Sequence, residues 1–296
     1  MKLKLSLMNL VRSGLNFLLI LCLLSGCSSS TTPTFLKEDV AKAIQDICKD
    51  EYKLEVKTKL IGMTLWIYLP VEDLLEKADK PEKYIERYVI DNNTAAFKDK
   101  VLELGYSIKP VPEQEKSQEY KYSKTVLEKM NNVWKVLRRV LFSMKDVDKT
   151  GPKFFFFVIS DTKNGLEIRD IFYYLDLKKV SYDFISWTEY QHRSIEESDA
   201  SPLIIGDNEG SHLKLIYKDI TLDDFVMWQI QHRIKLKFQK PEVQKNADID
   251  KEILKIATYT IKTYGLKNFQ ELQLNNLITQ NRIIFSRAAV WERPLD

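Results

Sequence analysis

Cysteine is nearly missing from this chain of 296 residues, which holds only Cys22, Cys27 and Cys48. The first two fall in an apolar N-terminal segment, so one thiol is left for the rest, and a framework of internal disulfides is excluded. Beside Ile44 and Ile47, Cys48 reads as a small buried hydrophobe. Histidine is equally scarce: His192, His212 and His232, two of them within the tripeptide QHR. None has the H-E-x-x-H spacing of a local zinc motif, and His192 and His232 read as ordinary cations at basic helix ends. There is no G-x-S-x-G elbow, Walker loop or Rossmann glycine pattern, so no catalytic residue, metal or cofactor is expected from motifs. With only nine glycines and 11% aromatic residues, the composition belongs to a packed globule and not to a disordered chain.

What is present begins at the N-terminus. Leu15–Leu24 is apolar but about half the roughly 20 residues that a membrane-crossing helix needs. Lys2, Lys4 and Arg12 precede it, and no acidic residue occurs before Glu38. A basic stretch, a short apolar core and small residues at its end make a cleaved secretory signal. Its last four residues, Leu24-Ser25-Gly26-Cys27, resemble the lipobox of bacterial lipoproteins. That resemblance covers residues 1–27 only. It implies removal of residues 1–26, a diacylglycerol on the sulfur of Cys27 and further acylation, typically by palmitate, of the freed amine. Each buried methylene contributes about 0.8 kcal/mol, so two or three such chains anchor almost permanently. Ser28, where an Asp would retain a lipoprotein at the inner membrane, implies the outer membrane in a cell that has two. Residues 27–35 then form a lipidated tether, since SSSTTPT has no side chain to anchor a core.

Loss of Lys2, Lys4 and Arg12 with the signal leaves 42 basic residues against 42 acidic ones. A neutral mature chain lacks the electrostatic footprint of a nucleic-acid binder. The membrane is therefore expected as a partner through Cys27, and nucleic acid is not.

Periodicity places three helix-hairpin units along the remainder, an α+β class with extra helices packed on antiparallel sheet. Leu36, Val40, Ala43, Ile44 and Ile47 recur at helical spacing, and two alternating strands meeting at Gly62 follow. Val126 to Met144 form a second helical face before FFFFVIS (154–160), the turn DTKNG and LEIRDIFYYL. FFFFVIS lacks alternation, as a strand buried on both faces does. Ile253 to Tyr264 precede FQELQL and RIIFSRAAV as the third unit. Extra helices are expected from Pro81, from the capping-box form Ser186-Trp187-Thr188-Glu189 and from Thr221 to Phe238. PLII (202–205) and HLKLIY (212–217) read as strands around the turn Gly206–Gly210, whose Asp and Asn serve a turn better than a calcium ion. Residues 105–120, with two prolines and many charges, read as a linker between an N-terminal α+β part (36–104) and a main α+β domain (121–296); 240–250 is a second break.

For function, the anchor, the neutral balance and the missing motifs lead to a lipid-anchored envelope module that binds protein or peptide, or is structural. Trp66 and Tyr68 lie on the strand face opposite Leu65 and Ile67, turned to solvent or to a second layer; exposed, they would be the contact patch for that partner. The alternative is an envelope hydrolase acting on wall or surface polymer. It requires a cleft lined by converging carboxylates or by histidine with perturbed pKa values, and His192, His212 or His232 beside an acid in one pocket would favour it. Ser160 and Asp161, at a strand end, read as turn residues and not as a displayed catalytic pair.

Overall fold

The computed structural model describes residues 34–239, 243 and 247–294. The signal segment and Cys27 lie outside the described residues. Among the described residues no helix is long and apolar enough to cross a membrane.

The chain is α+β, with two mixed sheets and helices against both. Helix α1 (Val40–Tyr52) buries Val40, Ile44 and Cys48 at helical spacing, and burial pushes the Cys48 thiol up to about 11. Strands β1 (Lys57–Ile61) and β2 (Thr64–Val71) form the first hairpin. Gly62 turns it at φ 57°, and a Cβ there would run into the Asp219 carboxylate, which accepts from the N–H of Met63 at 2.9 Å. Helix α2 (Lys124–Phe142) precedes β5 (Phe154–Asp161) and β6 (Leu166–Tyr173). Every residue of β5 is buried, as the unbroken apolar run requires. Helices α3 (Tyr174–Ser181) and α4 (Trp187–Arg193) lead to β7 (Ile195–Ala200), completing the sheet β1-β2-β5-β6-β7.

The second sheet, β3-β4-β8-β9, is made from β3 (Leu75–Lys98), β4 (Val101–Tyr122), β8 (Glu271–Asn276) and β9 (Asn281–Ser286). Helices α5 (Leu222–Gln239) and α6 (Ile249–Tyr264) carry its core, and α7 (Arg287–Glu292) follows β9. In both sheets the inner strands of two antiparallel hairpins, β2 with β5 and β4 with β8, run parallel; the β3–β4 ribbon and α2 lie between β2 and β5, and β5–β7 with α2–α6 lie between β4 and β8. The expected antiparallel sheet is therefore mixed: long connections through the other sheet and the intervening helices return the second hairpin in the direction of the first.

Three readings from sequence are corrected here. Residues from Pro81 onward are not helix but the middle of β3, and residues 105–120 are not a linker but most of β4. The two long strands form a ribbon whose far half is exposed on both faces, so no apolar alternation marks it. Opposite charges facing across the ribbon mark it instead: Lys83 with Glu115 at 2.7 Å, Arg87 with Glu113 at 3.1 Å and Lys121 with Glu76 at 3.3 Å. Its tip is Asp99-Lys100, both at positive φ. Third, PLII and HLKLIY are short 3-10 turns at Pro202–Ile204 and Ser211–Leu215, not strands. Along RIIFSRAAV the strand stops at Ser286, whose hydroxyl caps α7 by accepting from the N–H of Ala289 at 3.2 Å.

Ser186 caps α4 by accepting from the N–H of Glu189 at 3.0 Å, but the Glu189 carboxylate turns to Arg193 and not back to Ser186. Half of a capping box is thus formed. Ser186→Ala is expected to cost about 1 kcal/mol, measured by urea unfolding; an unchanged midpoint would show the cap to be idle.

Candidate functional site

Strand β2 sends Leu65, Ile67 and Leu69 to the face covered by α1 and α2, and Trp66 and Tyr68 to the other. Both are buried, at 2% and 1% exposure, beneath the segment that precedes α5. Trp66 stacks on Phe156 with ring centroids 4.0 Å apart, and its Nε1 donates to the carbonyl of Lys218 at 3.0 Å. The Tyr68 hydroxyl donates to the carbonyl of Asp207. Each ring uses its polar tip to pin the overlying segment. The face points to a second layer, so the exposure needed for a contact patch there is not met.

The same face carries a buried polar chain. Ser160 Oγ donates to Glu167 Oε2 at 2.6 Å, and His212 Nε2 lies 2.6 Å from that oxygen. His212 Nδ1 lies 2.7 Å from Asp207 Oδ2, and Arg169 donates to Glu167 Oε1 at 2.7 Å. Burial raises the Asp207 carboxyl, but the N–H groups of His212 and Ser211 and the His212 ring outweigh it and hold the acid at about 2. Asp207 thus fastens the turn Gly206–Gly210 and the residues after it to the sheet. Asp161 accepts from the N–H groups of Leu74, Lys163 and Asn164, which ties it to backbone. Ser160 and Asp161 sit on opposite faces of β5 and are not displayed as a pair. Neither of two cavities of about 740 Å³ each touches this chain of groups.

The first of these cavities, about 740 Å³, is bounded by α2, α3, α4, the C-terminal half of α5 and the β6–β7 pair. Trp134 and Trp187 supply aromatic wall, and Trp187 is 59% exposed. Asp170 and Glu196 enter as directly paired residues of β6 and β7. Like charges opposite one another weaken a sheet. Burial first, then Glu196, pushes the Asp170 carboxyl up to about 7, against the Ser194 hydroxyl that donates to it. Glu196 also accepts from the Tyr122 hydroxyl at 3.0 Å. His192 and His232 line the same cavity. Burial, with Arg233, Lys235 and His192 nearby, lowers His232 to about 4, so its ring is neutral near pH 7. The Tyr190 hydroxyl is buried in this wall with no hydrogen-bond partner among the described residues. A carboxyl poised near neutrality, a second carboxylate beside it and an orphan hydroxyl can hold a polar ligand and exchange a proton with it.

A second cavity of about 740 Å³ adjoins the first, sharing His192 and Leu236, and is bounded by α4, α5, α6 and the segment after α7. Among the described residues no group of three or more His, Cys, Asp or Glu side chains is placed to hold a metal ion.

Motif reading missed Asp170, Glu196, Tyr190 and Ser194, which belong to no pattern. One signal existed. In LEIRDIFY, Asp170 takes a place in the apolar alternation Leu166, Ile168, Phe172, where a charge conflicts with a buried face. Compared with protein-family models, with curated proteins and with solved structures, the chain matches none.

Proposed function

We propose that the chain is a lipid-anchored lipoprotein of a bacterial cell envelope, held by acyl chains on Cys27, at the outer membrane where the cell has two. Its folded body binds a segment of an envelope protein or peptide in the cavity between α2, α4 and α5. The observation that carries this is the combination of a half-open aromatic wall, Trp134 and Trp187, with a buried, unpartnered Tyr190 hydroxyl. The contact residues expected at Trp66 and Tyr68 move to this cavity.

Two experiments test the reading. Cys27→Ala is expected to leave the precursor uncleaved and without a lipid label; a processed, unlabelled protein would remove the anchor. A photo-crosslinker at Gln191, on the cavity rim, is expected to trap an envelope partner in cells, with yield falling about tenfold in Trp187→Ala. Equal yields would exclude this cavity as the contact.

The pairing of Asp170 with Glu196 beside His192 and His232 favours a second reading, a hydrolase of wall or surface polymer, since two carboxylates and two histidines converge on one cleft. There, Asp170 would give and take the proton. Purified protein would release soluble fragments from wall polymer, and Asp170→Asn would slow release about 100-fold or more. Release unaffected by that change would rule the site out.

A further inference from the structure

The second cavity is cationic in a chain whose mature charges cancel. Arg233, Lys237, Lys251, Lys255 and Arg293 line it against only Glu189 and Glu252. Glu189 is already matched by Arg193, whose Nε donates to it at 2.7 Å from outside the cavity. The three lysines have no ion pair among the described residues, and Lys251 and Lys255 are exposed one turn apart on α6.

Three donors in this wall are buried and unsatisfied. Arg233 Nη2 lies 3.5 Å from Glu189 Oε1 without hydrogen-bond geometry, and Arg293 Nε has no hydrogen-bond partner among the described residues, although the two guanidiniums lie over the rings of Tyr259 and Phe285. Thr258 is 1% exposed, and its hydroxyl is likewise unpartnered. Leaving a buried donor unmade is costly, and three in one cavity call for an acceptor with several oxygens. Guanidinium groups and lysines around a hydroxyl suit a phosphate group better than a single carboxylate, which carries less charge and fewer acceptors.

We propose that this cavity binds a phosphate group, carried by a soluble ester or by a lipid headgroup. The site goes beyond the peptide-binding and hydrolase readings and stands or falls apart from both.

Calorimetry on the full chain in detergent, with pyrophosphate, inorganic phosphate and acetate as probes, tests it. Vesicles of phosphatidylcholine with and without phosphatidylglycerol separate the two sources. Pyrophosphate is expected to bind more tightly than acetate, with affinity falling about tenfold in Arg233→Gln and about threefold in Thr258→Val. Because Arg233 also faces Glu189, the exposed pair Lys251→Gln/Lys255→Gln gives a variant that keeps the fold, and it should weaken binding about tenfold. Because the acyl chains on Cys27 hold the chain to any vesicle, stronger retention on phosphatidylglycerol than on phosphatidylcholine vesicles, lost in that double variant, would support the site with a lipid as the source. No binding at roughly 10 mM of either phosphate probe together with equal retention on the two kinds of vesicle would overturn it. Equal affinity for acetate, or an unchanged double variant, would do the same.

Discussion

Arg193→Met is expected to lower stability by about 3–5 kcal/mol. Arg193 is 8% exposed and donates from Nη1 to Asp176 Oδ1 at 2.8 Å and from Nε to Glu189 Oε1 at 2.7 Å. Asp176 is 1% exposed and takes one further bond, from the Tyr264 hydroxyl at 2.9 Å. Methionine fills much of the same volume but strands the Asp176 carboxylate away from water, and that uncompensated charge is the larger part of the loss. Replacing both partners, Arg193→Met with Asp176→Leu, should recover much of the loss, because no stranded carboxylate remains, while the Tyr264 hydroxyl gives up its acceptor and Glu189 one donor. Urea unfolding of the three variants reads this directly. A single-variant loss below about 1 kcal/mol would show that water reaches Asp176 and that the pair is not buried in solution.

The second large effect has the opposite sign. The Asp170 carboxyl is pushed up to about 7 by burial and by Glu196, so the folded protein holds a proton that the unfolded chain releases near 3.9. Between those values the folded state binds more protons than the unfolded one, and stability falls as pH rises; above about 7 the penalty is complete. Asp170→Asn removes the charge and keeps an acceptor for Ser194. It is expected to stabilise the protein by on the order of 2 kcal/mol at pH 8 and by almost nothing at pH 4. A gain that is the same at both pH values would mean that Asp170 titrates normally. A residue that costs stability where it stands is the kind that a binding or catalytic site retains.

Much of the frame is legible in the residues. The three helix-hairpin units fall where the hydrophobic period changes from 3.6 to 2, and β5 declares itself by four phenylalanines in a row. The ribbon is not legible, because its strands bury little. Its register rests on ion pairs between residues about 30 positions apart, such as Lys83 and Glu115. Its tip, Asp99-Lys100, takes positive φ without a glycine, and its prolines suggest a linker to any reading by composition. The cavities are hidden for a different reason. Asp170, Tyr190 and His232 come from a strand and two helices, and the cationic wall combines α5, α6 and Arg293. A net charge of only +3 averages over such clusters, so the absence of a basic stretch along the chain says nothing about a basic hollow within it.

The parallel pairing of β4 with β8 has a consequence for how the chain matures. Val101 sits opposite Glu271 and Tyr106 opposite Asn276, so one edge of β4 has no neighbour until Glu271–Asn276 emerge. Throughout synthesis that edge offers bare backbone donors and acceptors to any passing strand. Assembly of the second sheet is therefore slow and late, and a holdase that shields β4 meanwhile would raise the yield of folded protein.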